Sequence, residues 1–214
     1  MFFCHENGIY LKKRMNYLWK EFFRKIIHLC TAFVPLFLHI AKIPVVVLLA
    51  LVGIFYCIAE YMRFHGHEIP VISVVTATAA RKRDENKFVL GPVTLVCGII
   101  LAALLWDEKC AAMGILSLAF GDGLASLAGK FLGKVKIPFS GGKTACGSLM
   151  CFLAIFVATF CVCQNVFMAL CLSLLGALIE VLPLKDFDNL LIPVLIGGAA
   201  TVLQNLLPQV QFVY

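Results

Sequence analysis

The residues with the means to do chemistry begin at Gly121-Asp122-Gly123. They continue through Ser126, Gly129, Lys130, Gly133, Lys134 and Lys136 to Ser140-Gly141-Gly142-Lys143-Thr144 and Gly147-Ser148. An Asp inside an apolar run costs ~2.5–3.5 kcal/mol on membrane-insertion scales, so it marks a functional position. Glycines let backbone N–H groups approach an anion, and lysine adds a compact positive charge. Gly141-Gly142 precede Lys143, and a helix predicted from Thr144 would aim its N-terminus at the same anion. This is not a P-loop, because the glycine required six residues before Lys143 is Ile137 and no strand precedes it. The stretch suits the phosphates of a nucleotide together with a metal ion.

Further carboxylates stand at the ends of apolar runs: Glu60, Glu180, Asp186 and Asp188. Asp186-Phe187-Asp188-Asn189 offers hard oxygen ligands of the kind Mg²⁺ takes. Glu180 needs a partner or a proton in its apolar surroundings, which makes it a candidate base. Glu60 and Arg63 are one helical turn apart and can pair with each other. His65 and His67 alternate on a polar loop and read as solvated residues more readily than as a metal pair.

The elements that must position these groups are apolar helices. The chain of 214 residues is 62% hydrophobic and 14% charged, with mean hydropathy +0.97, whereas soluble domains carry roughly 25% charged residues. The composition predicts an all-α, polytopic transmembrane helix bundle and leaves no stretch for a sizeable water-soluble domain. About seven spans are expected, at 26–41, 43–62, 89–106, 110–127, 145–163, 166–184 and 190–207, each near the ~20 residues that cross ~30 Å of hydrocarbon. Residues 1–25 read as a basic amphipathic interfacial segment, with Trp19, Phe22 and Phe23 among Lys12, Lys13, Arg14, Lys20, Arg24 and Lys25. Residues 26–214 read as one transmembrane catalytic domain. The first apolar run follows a polar, basic segment and is expected to be retained rather than cleaved. Most of the ten cysteines fall within apolar runs, where they act as small hydrophobes.

Charge placement orients the bundle. Counting seven spans puts sixteen of the eighteen Lys and Arg on one side, leaving Lys42 and Lys109 on the other. The positive-inside rule then makes the N-terminus and the Asp122–Lys143 stretch cytoplasmic. An integral protein of a cytoplasmic (inner) membrane is expected, with its active site facing the cytoplasm. Carboxylates crowded at one end do not suit a transporter, which needs charges at mid-membrane and a pathway to both sides.

In order and placement, the motifs resemble the membrane-embedded CTP-dependent lipid kinases, a family that includes dolichol kinase, phytol kinase and CTP-dependent diacylglycerol kinase and is related to the phosphatidate cytidylyltransferases. The resemblance rests on Arg24-Lys25-x-x-His28, Glu60-x-x-Arg63, Gly91 and Gly121-Asp122-Gly123-x-Ala125-Ser126-x-x-Gly129-x-x-x-Gly133-Lys134. It continues with Gly142-Lys143-Thr144-x-x-Gly147-Ser148, Glu180-x-Leu182-Pro183 and Asp188-Asn189-x-x-x-Pro193. It implies transfer of the γ-phosphate of CTP to the hydroxyl of a lipid alcohol such as diacylglycerol, a polyprenol or a phytol-like alcohol. On this reading Asp122 and Asp188 hold Mg²⁺ with help from Asn189. Lys143, Thr144 and the glycines cradle phosphate with Lys130 or Lys134, and Glu180 orients or deprotonates the hydroxyl. Arg24, Lys25 and His28 would bind phosphate or headgroup, with Glu60 and Arg63 placed in the same lipid-side group. The partners implied are a membrane lipid and a nucleotide, with a homo-oligomer open and no nucleic acid. The alternative, a phosphatidate cytidylyltransferase, is disfavoured because the His-Gly-Gly and Asp-Arg-x-Asp elements of that signature are absent.

Overall fold

The computed structural model describes residue 19 and residues 21–67 and 87–207. Most of the expected interfacial segment and the middle of the 63–88 connection lie outside these residues. The described chain is helical, and its β pairing is an isolated bridge between Lys136 and Thr144. Helix α1 spans Glu21–Phe64, α2 Gly91–Leu105, α3 Glu108–Phe131, α4 Ala145–Cys163, α5 Val166–Val181 and α6 Asp188–Leu206.

Among the described residues, four helices are long and apolar enough to cross a membrane: α1, α3, α4 and α6. Helices α2 and α5 have 15 and 16 residues. At 1.5 Å per residue they measure roughly 22–24 Å, short of a ~30 Å hydrocarbon layer. The two expected spans at 26–41 and 43–62 fall within the single helical run α1, which tightens at Thr31–Phe33 and breaks at Ala41 (φ −154°, ψ 79°) ahead of Pro44. Proline removes a helical N–H and crowds the preceding turn, which gives the break its cause.

Contacts show that the chain reverses at this break. Lys25 meets Asp122, whereas His39 meets Glu108 at the opposite end of α3. Beyond Ala41, Tyr56 donates a hydrogen bond to the Val89 carbonyl (3.1 Å) and Glu60 accepts one from the Val89 N–H (2.9 Å). Asn189 in turn donates to the Gly91 carbonyl at 3.3 Å. Glu60, Val89, Asp188, Asp122 and Lys25 therefore lie towards one end of the bundle. The expected boundary at 25/26 falls inside α1, whose described helix starts at Glu21.

The core is built mainly of Leu, Ile, Ala and Met from α2–α6, including Ile99, Met113, Leu118, Ile155, Met168, Leu172, Ile192 and Ile196, and is joined by Leu38 of α1. Small residues set the helix spacing. A Cβ on Gly98 would lie 2.4 Å from the Asn189 carbonyl oxygen, and one on Gly114 would lie 2.2 Å from that of Pro193, so α2 and α3 meet α6 backbone to backbone. The outer faces stay apolar: Phe37, Leu48, Leu51 and Phe55 of α1 and Phe167, Leu174 and Leu178 of α5 are all more than half exposed. Apolar exposure on this scale marks a surface that meets something other than water.

Candidate active site

A cavity of about 580 Å³ opens at the end of the bundle that holds Asp122 and Asp188. Its first wall comes from the start of α1 and the end of α3. Within α3 the Ser117–Asp122 segment widens into a π-helical turn ending on Asp122, a local irregularity that often accompanies function. Asp122 Oδ2 lies 2.7 Å from Lys25 Nζ and 3.2 Å from His28 Nδ1. One turn back, Glu21 pairs with Arg24 and with Lys130 and accepts a hydrogen bond from the Ser126 hydroxyl at 2.7 Å. Arg24, Lys25 and Lys130 are thus each held by a carboxylate along one wall.

The second wall comes from the hairpin between α3 and α4 and from the connection between α5 and α6. The hairpin closes through Ile137 N–H to the Lys143 carbonyl (2.9 Å) and Ala145 N–H to the Val135 carbonyl (3.0 Å). Its turn passes through left-handed Gly141 (φ +71°) and Gly142 (φ +97°), conformations that glycine adopts without steric cost. Thr144 caps α4 by accepting the Gly147 N–H at 3.2 Å. Lys143 Nζ donates to the Glu180 carbonyl and stands 3.4 Å from Glu180 Oε1 and 3.9 Å from Asp188 Oδ2. The Ser148 hydroxyl donates to the other Glu180 oxygen at 3.0 Å. The cavity therefore gathers four carboxylates (Glu21, Asp122, Glu180 and Asp188) and five cations (Arg24, Lys25, Lys130, Lys143 and Lys185) at the end of apolar helices.

Of the sequence-predicted residues, the cavity wall takes Arg24, Lys25, Asp122, Ser126, Gly129, Lys130, Gly142, Lys143, Thr144, Gly147, Glu180 and Asp188. Several others sit behind it. His28 backs Asp122, and Ser148 backs Glu180. The Asn189 amide donates to the Gly91 carbonyl and towards the Thr94 hydroxyl, tying α6 to α2. Gly133 packs so closely that a Cβ would lie 2.2 Å from the Gly129 carbonyl and 2.4 Å from Thr144 Oγ1. Gly121 and Gly123 likewise face Ile155 and Leu29, not the cavity, and Lys134 is exposed on the hairpin.

Glu60 and Arg63 also do not line the cavity. Glu60 is fully buried, takes two hydrogen bonds from Arg63 (2.8 and 2.6 Å) and holds the Val89 N–H. Arg63 also donates to the Lys87 carbonyl. The pair fastens both ends of the 63–88 connection.

Sequence reasoning missed Glu21 and Lys185, which line the cavity together with Ser140 of the expected stretch. Glu21 left a signal, being the one acidic residue between Glu6 and Glu60 and three residues from Arg24, a spacing that pairs on a helix.

Among the described residues, an all-helical fold with membrane-length apolar helices and a charged, lysine-rich cavity at one end defines a class of membrane protein. Within that class the chain is distantly similar to plant phytol kinases. It is 28% identical over 145 residues to a probable chloroplastic phytol kinase 1 of Glycine max, covering 64% of this chain and 46% of that protein. It is 24% identical over 173 residues to the corresponding protein of Oryza sativa subsp. japonica, covering 72% and 54%. The chain thus spans about half the length of these plant relatives. An uncharacterized protein of Methanocaldococcus jannaschii is 27% identical over 183 residues, 83% of this chain and 91% of that protein. No protein-family model matches the chain, and no solved structure gives a significant match.

Proposed function

We propose that this chain is a membrane-embedded kinase that transfers the γ-phosphate of CTP to the hydroxyl of a membrane lipid alcohol, at a site facing the cytoplasm. The observation that carries the reading is the Lys143 hairpin opposite Asp122 in one cavity at the end of apolar helices. Water-borne phosphate and a lipid hydroxyl can meet only at such a boundary. Likeness to phytol kinases favours an isoprenoid-type alcohol over diacylglycerol as acceptor.

Phosphoryl transfer asks a protein mainly for position and charge. Lys143 is pinned by the Glu180 carbonyl and faces the carboxylates of Glu180 and Asp188. A phosphate chain entering the cavity competes for that ammonium and releases both carboxylates. Arg24, Lys25 and Lys130 line the facing wall for the remaining phosphate charge. The lipid oxygen then attacks the γ-phosphorus, the bond to the β–γ bridging oxygen breaks, and CDP leaves with that electron pair. The hydroxyl proton passes to Glu180, with Ser148 holding its far oxygen.

Among the described residues no group of three His, Cys, Asp or Glu forms a metal cage. That suits Mg²⁺, which usually takes one or two carboxylates and completes its shell with substrate phosphates and water. Asp122 and Asp188 are the residues on the cavity wall that would hold it, and Asn189, engaged with α2, supports Asp188 from behind. When bound, the ion neutralises charge building on the β- and γ-phosphates.

The cytoplasmic orientation draws on the same geometry: Lys25, Lys130, Lys143 and Lys185 stand at the cavity, and the sequence places only Lys42 and Lys109 on the far side. The test is purified protein with labelled CTP or ATP and a panel of lipid alcohols, with the released nucleotide identified. CDP together with a phosphorylated alcohol is the expected result. Pyrophosphate together with a CDP-lipid would replace this reading with nucleotidyl transfer.

A further inference from the structure

The hairpin that delivers Lys143 to the cavity has a second, outward face. Phe139 at its tip is 100% exposed and sits at φ +61°, a conformation that costs a non-glycine residue on the order of 1–3 kcal/mol. No contact among the described residues offsets that cost. Pro138 precedes it, and Ser140 holds the turn by donating to the Ile137 carbonyl (2.8 Å) and accepting the Lys143 N–H (3.1 Å). Phe131, Leu132 and Val135 are 68%, 65% and 68% exposed. From Phe131 to Thr144 the chain has no acidic residue, and Lys134 and Lys136 are exposed beside the apolar side chains.

We propose that the 131–144 hairpin is an interfacial anchor that seats Phe139, Phe131, Leu132 and Val135 at the headgroup–acyl boundary of an anionic bilayer leaflet, with Lys134 and Lys136 on its phosphates. The occupant follows from the hairpin's feet: α3 and α4 are both long and apolar enough to cross a membrane, so the hairpin leaves and re-enters at the bilayer edge. Aromatic and apolar side chains interleaved with lysine suit that layer. A two-fold contact with a second copy would instead set Lys134 and Lys136 against their own equivalents.

The anchor links membrane and site through one turn. Phe139 faces outward while Ser140, Gly141, Gly142 and Lys143 line the cavity, so seating the tip fixes the height of the Lys143 ammonium above the lipid hydroxyls. This consequence, unlike the anchor itself, rests on the proposed kinase activity.

The test is the F139W variant of the whole chain in phosphatidylglycerol/phosphatidylcholine vesicles, with emission compared to the parent protein. The added emission should be blue-shifted and lost when the acyl chains are brominated, and K134E/K136E should weaken that quenching. Emission that stays water-like and open to iodide overturns the proposal. A blue-shifted but bromine-insensitive signal also overturns it, because a second copy then covers the tip. In turnover assays F139Q should raise the KM for vesicle-borne lipid about tenfold, as expected for losing a buried Phe, and leave the KM for CTP unchanged. Bromine quenching without any phosphoryl transfer would keep the anchor and remove the kinase reading.

Discussion

The Lys25 ammonium lies 2.7 Å from the Asp122 carboxylate, across 97 residues of chain. The Lys25 side chain is 1% exposed and that of Asp122 is 13% exposed, so each is the other's main electrostatic support in a region with little water. His28 flanks the same oxygen. The contact joins the start of α1 to the π-turn of α3 and sets the depth of the first wall of the cavity.

Removing one partner strands the other. Asp122→Asn or Lys25→Met alone should lower stability by about 3–5 kcal/mol, the usual cost of breaking a buried pair. The K25M/D122N double variant should regain much of that loss in thermal unfolding in detergent, yet stay inactive in the lipid-phosphorylation assay. Full activity in the double variant would remove both residues from the catalytic role.

Lys143 should separate folding from function. Its side chain is 24% exposed and belongs to a turn already held by Ser140. Lys143→Ala should leave the unfolding midpoint near that of the parent and lower kcat/KM for CTP by at least ~100-fold, the scale of losing one charged donor at a developing anion. Turnover within a few-fold of the parent would exclude it as the phosphate ligand.

Gly133 has no room for a methyl group. With the Gly129 carbonyl 2.2 Å and Thr144 Oγ1 2.4 Å from a Cβ at this position, Gly133→Ala must push the end of α3 away from the start of α4. A loss of about 1–3 kcal/mol is expected from such overpacking, read as a lowered unfolding midpoint. An unchanged midpoint would mean that the two elements do not pack this tightly.

Glu60 ties α1 to the Val89 backbone just ahead of α2. Glu60→Ala leaves the Val89 N–H without its acceptor and frees Arg63, at a cost of about 1–3 kcal/mol. Glu60→Gln keeps an oxygen for Val89 and should cost less. Limited proteolysis between Arg63 and Val89 should quicken in the order parent, E60Q, E60A. A large loss of CTP affinity with no change in proteolysis would instead place Glu60 in the site.

The sequence alone dictates the helices, because a single apolar run of membrane length can satisfy its own N–H and C=O groups in hydrocarbon only as a helix. It also brought Asp122, Lys143, Glu180 and Asp188 to one end, since charges are tolerated only near the ends of such runs and the runs alternate in direction. What it left undecided is how those charges pair. Glu21 with Arg24, Ser126 and Lys130, and Lys25 with Asp122, depend on α1 crossing the end of α3, a contact between distant segments that no local pattern records. The same limit explains the glycines. Phosphate-binding and close-packing glycines look alike in sequence, and only the tertiary structure turned Gly142 towards the cavity and Gly133 against Thr144. It decided, too, that Glu60 and Asn189 tie helices together behind the site, because a carboxylate or amide shows its partners only when the backbone groups it serves have been brought beside it.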